Sequence, residues 1–178
     1  MGSRFTSLCV RLLTASCLLL LLPASSKAQH AIIRWAYGPF GSAGDAAYIV
    51  EGDKIYAACG PFGAKGACLF VIDDQKVIWH SADAFGSQGM CAYVAEGEDK
   101  LFRCQGTSAS KASGALLLEG TKVFRADGAF CNKQEGAFVI DGDVVFLAEG
   151  PFARKGDAIL KIEGEVPMLA LLVILAGL

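Results

Sequence analysis

The chain has 178 residues, enough for one domain with a substantial core and too few for two ordinary ones. Hydrophobic residues make up 53% and charged residues 19%, with mean hydropathy +0.44, and this excludes a disordered chain. A net charge of −2 with no Lys/Arg run excludes a polybasic nucleic-acid binder.

Residues 1–28 read as a secretory signal peptide. Arg4 and Arg11 form the positive flank, Leu18–Leu22 are five consecutive leucines, and the small residues Ser26 and Ala28 suit cleavage before Gln29. Cleavage removes Arg4, Arg11 and Lys27 and no acidic side chain. The remaining domain, residues 29–178, then has 13 basic and 18 acidic side chains, a net charge of −5. The expected location is secreted or periplasmic, extracytoplasmic in either case. An acidic exported domain gains no attraction to nucleic acid or anionic lipid.

Next comes a repeat of about 22 residues. Gly38-Pro39-Phe40 returns as Gly60-Pro61-Phe62 and Gly150-Pro151-Phe152, with weaker copies at Ala84-Phe85 and Ala129-Phe130. In the copy near Thr107 the aromatic is lost. Ala31–Tyr37 matches the second strand of a hairpin whose first strand is missing. The next unit reads AAYIV-EGD-KIYAAC from Ala46 to Cys59. Four more begin at Cys68, Cys91, Gly114 and Gly136, and Ala158–Glu163 is a first strand without a partner. Short β-branched and aromatic runs around Asp-Gly or Glu-Gly signal β-hairpins, and two- and three-residue loops fit the turns equally well. Five hairpins and two complementary halves make 12 strands over residues 31–163. Pairing the halves removes both free edges. The expected fold is therefore all-β, a closed antiparallel barrel of six hairpin repeats.

The chain ends in Val166–Leu178, which carries no charged side chain. It is short for a membrane span and has the length of a lipid-anchor attachment tail. It also suits a helix buried on every side. A 12-stranded barrel about 20 Å across has room for one helix, so residues 166–178 are expected to be the apolar plug. The membrane is a partner only if this tail is an anchor.

The repeat, a Gly-x-Phe-like loop followed by Tyr-x-x-x-Gly-x-Lys-Ile-Tyr, resembles secreted hairpin-repeat proteins of the beta-flower type, which end in an apolar helix. The plan is also similar to the tubby C-terminal barrel, 12 strands around a hydrophobic helix. That similarity is architectural, and no tubby lipid-binding motif maps onto this sequence.

Cys91 and Cys104 lie symmetrically on two arms of one hairpin, and Cys59 and Cys68 flank one loop. These four are the disulfide candidates, with Cys131 left over, and small buried hydrophobes are the other reading. No CxxC or zinc-ligand spacing occurs. His30 sits at the new N-terminus, where fraying is expected. His80, beside Trp79, is a packed strand residue or, less readily, a general base. Glu51, Asp73, Glu96, Glu119 and Asp141 recur at one turn position. Turn chemistry explains them, whereas a glycosidase pair or calcium ring would need more. No catalytic residue, metal ligand or cofactor is assigned.

The loops between hairpins are the expected binding surface of a non-enzymatic interaction module for a glycan, lipid or protein. The candidates are Phe40, Phe62, Lys65, Phe85, Phe130, Phe152, Arg154 and Lys155. A Phe at a fixed loop position also suits a simpler role, sealing the core beneath the loop. Inward Phe side chains favour a structural envelope or matrix component, and outward ones favour binding. The remaining alternatives are a hydrolase with a spatially assembled site and a lipid-anchored surface protein.

Overall fold

The computed structural model describes residues 30–106, 108–150 and 152–178, and the expected signal segment lies outside them. The twelve strands are β1 (His30–Tyr37), β2 (Ser42–Glu51), β3 (Lys54–Cys59), β4 (Ala64–Ile72), β5 (Val77–Ser81), β6 (Gln88–Glu96), β7 (Lys100–Gln105), β8 (Ser108–Glu119), β9 (Lys122–Asp127), β10 (Asn132–Asp141), β11 (Val144–Glu149) and β12 (Arg154–Gly164), followed by helix α1 (Met168–Ala176). Each strand pairs antiparallel with its chain neighbours. The half-hairpins β1 and β12 pair with each other over Ala31↔Gly164 to Trp35↔Leu160, closing the barrel.

The register sets the shape. Ile33 faces Tyr48 and Tyr48 faces Ala57, two residues beyond Ile55, the repeat equivalent of Ile33. The same advance recurs at the closure, where Leu160 faces Trp35. Two residues per hairpin give a shear of about 12 for 12 strands, hence a tilt of roughly 35–40° and a diameter of about 20 Å.

Three hairpins, at Glu51↔Lys54, Glu119↔Lys122 and Asp141↔Val144, use two-residue turns whose first central residue is a glycine at φ near +60°. Glycine occupies that left-handed region without a Cβ clash, and the turn's twist matches the strands. The opposite end of every unit carries a β-bulge. The bulged pairs are Arg34↔Ala46, Tyr56↔Cys68, Trp79↔Cys91, Phe102↔Gly114, Phe124↔Gly136 and Phe146↔Ala158. A bulge bends the strands and sharpens their twist, so each loop leaves the wall at an angle.

Ile33, Ile55, Ile78, Leu101, Val123 and Val145 occupy one repeat position, are all fully buried and surround α1. The helix buries Ala170 through Leu175 against them. The apolar tail is therefore the plug of the barrel. The helix is shorter than the 13-residue tail because it begins only after Pro167, whose ψ of 134° is extended. His30 is not frayed: it pairs with Glu51 as the first residue of β1.

Candidate binding surface on the inter-hairpin loops

Four of the loops start from a tight turn closed by a backbone hydrogen bond. The N–H groups of Gly41, Gly63, Cys131 and Ala153 donate to the carbonyls of Gly38, Gly60, Gly128 and Gly150. In the third unit Asp83 replaces that glycine. Its carboxylate accepts from the N–H groups of Phe85 (2.8 Å) and Ser87 (3.1 Å) and from the Ser87 hydroxyl. These bonds, led by the hydroxyl, hold the Asp83 pKa down at about 2.

The loops lean back over the outer face of the preceding hairpin. The Cβ position of Gly63 lies 3.4 Å from Ala46 Cβ, and Ala46 N–H donates to Gly60. Gly114 N–H donates to Gly128, and Lys54 and Lys122 donate to the carbonyls of Phe85 and Phe152. Loop carbonyls thus satisfy donors on the bulged wall.

Phe40, Phe62, Phe85, Phe130 and Phe152 all point to solvent, with 74% to 92% of their surface exposed. The expectation that they seal the core is wrong. The sealing residue is the next one: Gly41, Cys131 and Ala153 are buried beneath the loops. A tight turn leaves room for a methyl or a thiol under its tip and none for a ring.

The loop lysines are also placed differently from a free basic rim. Lys65 pairs with Glu51 at 2.5 Å and stands over the Tyr56 ring, 4.1 Å from its centroid. Lys155 pairs with Asp141 at 2.6 Å over Phe146. Lys111 with Glu96 over Phe102, and Lys133 with Glu119 over Phe124, repeat the arrangement. The hydrogen bond from Lys111 lowers the Glu96 pKa, and the one to Glu51 raises that of Lys65. The remaining recurring carboxylate, Asp73, accepts from Trp79 Nε1 at 3.0 Å, and Arg34 meets Glu163 across the seam. Four of the five recurring turn carboxylates are thus engaged by lysines on the wall, and the fifth by a tryptophan. Arg154 is exposed and makes no ion pair with a described residue.

Cys91 and Cys104 form the disulfide, with Cα atoms 5.8 Å apart. The other candidates, Cys59 and Cys68, are not bridged: Cys59 is exposed, while Cys68 is buried with Sγ directed at the Ile55 and Phe70 carbonyls. Cys131 is buried with Sγ on the Leu116 carbonyl, out of reach of another chain, and burial raises its pKa. His80 lies against Phe70, ring centroids 5.1 Å apart, and no carboxylate is bonded to it among the described residues. Among the described residues no three His, Cys, Asp or Glu are grouped to hold a metal.

Between neighbouring loops lie clefts that the sequence did not reveal. One, of about 500 Å³, is lined by Arg103, Arg125, Gln134 and Glu135. Another, of about 420 Å³, lies between Arg125, Glu135 and Leu147. The third, of about 380 Å³, crosses the seam between β12 and β1 and is lined by Trp35, Tyr37 and Asp157. They occupy equivalent places in the repeat, but their walls differ at the position held by Trp35, Arg125 or Leu147. Comparison of the chain with family models, curated proteins and solved structures finds no match.

Proposed function

We propose that this protein is an exported, non-enzymatic recognition module that engages its ligand through the tips of the inter-hairpin loops. The observation that supports this most is the orientation of the five loop phenylalanines. All five are exposed, and beside three of them a buried small residue, Gly41, Cys131 or Ala153, already fills the space beneath the loop. Exposed aromatic side chains on rigid loops mark interaction sites. The leucine-rich segment 1–28 supports export. The Cys91–Cys104 disulfide is consistent with an oxidising compartment. No helix among the described residues is long and apolar enough to cross a membrane. Strand number, closure and the enclosed helix support kinship with the beta-flower and tubby architectures.

The test compares the native protein with a variant carrying serine at all five Phe positions, on glycan and lipid arrays. Native binding with at least a tenfold loss in the variant supports the reading, a difference of about 1.4 kcal/mol. The variant should unfold at nearly the native temperature, because the replaced rings bury little surface. No native binding to either array would remove the reading.

A further inference from the structure

The seam cleft differs chemically from the two other clefts. In those, the charged groups are already engaged: Arg125 lies 3.8 Å from Glu135, and Arg103 Nη1 donates to the Gly114 carbonyl at 2.7 Å. In the seam cleft Asp157 is exposed, and its carboxylate has no hydrogen bond or ion pair to a described residue. Beside it stand two exposed aromatic rings, Trp35 and Tyr37.

Both rings are held before any ligand arrives. The Trp35 ring lies 6.4 Å from that of Tyr48, itself packed on the barrel core. Tyr37 lies across Gly44, where a Cβ would come within 2.5 Å of Cε2. Any side chain at 44 would push the ring away, so this glycine sets its position. The strand pairing Trp35↔Leu160 brings the rings to β12, which carries Asp157.

We infer that the cleft formed by Trp35, Tyr37 and Asp157 is a saccharide-binding site. A pyranose ring has an apolar C–H face that stacks on fixed aromatic rings, and pairs of hydroxyls that donate to a carboxylate. The carboxylate strengthens those bonds by its charge. The volume of about 380 Å³ falls at the small end of the range of ligand sites and suits one or two sugar rings. Preset rings lower the ordering cost of binding. The ligand is neutral or cationic, since an unpaired carboxylate repels acidic sugars.

This inference concerns residues outside the five loop phenylalanines and can fail or hold independently of them. The test titrates the protein purified from the full chain with cellotriose, mannotriose and tri-N-acetylchitotriose, following tryptophan emission. Trp35 is the exposed reporter; Trp79 is half-buried and bonded to Asp73. The expected result is a saturable blue shift with at least one trisaccharide. Asp157→Asn, similar in shape, should weaken it on the order of tenfold. Tyr37→Ala should weaken it similarly without lowering the unfolding temperature by more than a few degrees. The five-Phe serine variant should keep the shift, which separates this site from the loop-tip reading. No shift with any trisaccharide overturns the inference, as does a shift that survives both Asp157→Asn and Tyr37→Ala.

Discussion

Asp83 shows how one residue can stand in for a glycine. Five loops open with a glycine at positive φ, at residues 38, 60, 106, 128 and 150, and the loop at 82–87 opens with Asp83 instead. Its carboxylate gathers two N–H groups and a hydroxyl, so the side chain does what the backbone does elsewhere. The folded-state pKa of about 2 lies below the usual aspartate value of about 3.9. The sign follows: the bonds support the loop fully above about pH 4 and are lost as pH falls through about 2. The Phe85 and Ser87 amide resonances should therefore titrate together with a midpoint near pH 2, and a midpoint near 4 would mean the carboxylate is not engaged. Asp83→Ala should abolish hydrogen-exchange protection at both amides while leaving the global unfolding temperature nearly unchanged, because the loop is exposed. The weaker repeat copy at Ala84-Phe85 was visible in the sequence, but only the turn geometry shows that Asp83 before it replaces a glycine.

At the scale of the hairpin, wall and loop share one side-chain volume. Ala46 on β2 is covered by Gly63. Gly114 on β8 is covered by Cys131, and Gly136 on β10 by Ala153, whose Cβ would lie 2.5 Å from a Cβ at 136. Where the wall has a side chain the loop has glycine, and where the wall has glycine the loop has a side chain. This explains why Cys131 and Ala153 accept φ values of 56° and 47°, which cost L-residues about 1–2 kcal/mol: each fills a hole that glycine leaves. Gly136→Ala should destabilise by about 1–3 kcal/mol through overpacking. Adding Ala153→Gly should recover most of that, giving a coupling of at least about 1 kcal/mol in a double-mutant cycle by urea denaturation. Additive effects would refute the shared volume. The hairpins were legible from their alternating apolar runs and Gly turns, and so was the closing of β1 on β12. The outward orientation of the loop phenylalanines was not, because position in a repeat does not reveal which neighbour occupies the space beneath it. The cleft of Trp35 and Asp157 was equally hidden: the two lie 122 positions apart and meet only at the seam.

The whole molecule depends on a match between lumen and helix. A shear of about 12 leaves a barrel about 20 Å across, too wide for opposite walls to meet. The six-residue belt from Ile33 to Val145 therefore has the helix as its packing partner. This differs from a surface helix, where one apolar stripe is enough: Ala170 to Leu175 are buried in succession, on every side of α1. Closure and filling support each other. β1 pairs with β12 only when the barrel has curled fully, and the curled barrel encloses the segment that follows β12 directly. Two variants test this at different strengths. Leu172→Ala, at a fully buried position, should lose about 2–5 kcal/mol and remain a cooperative folder. A chain stopped after Gly164 keeps every strand and every ladder pair, yet leaves the six-residue belt facing an empty lumen. It should lose its single cooperative unfolding transition and expose apolar surface to a dye such as ANS. If the stopped chain instead unfolds cooperatively near the native temperature, the walls are self-sufficient and the helix is an accessory. If Leu172→Ala costs well under 1 kcal/mol, the helix is enclosed without being packed.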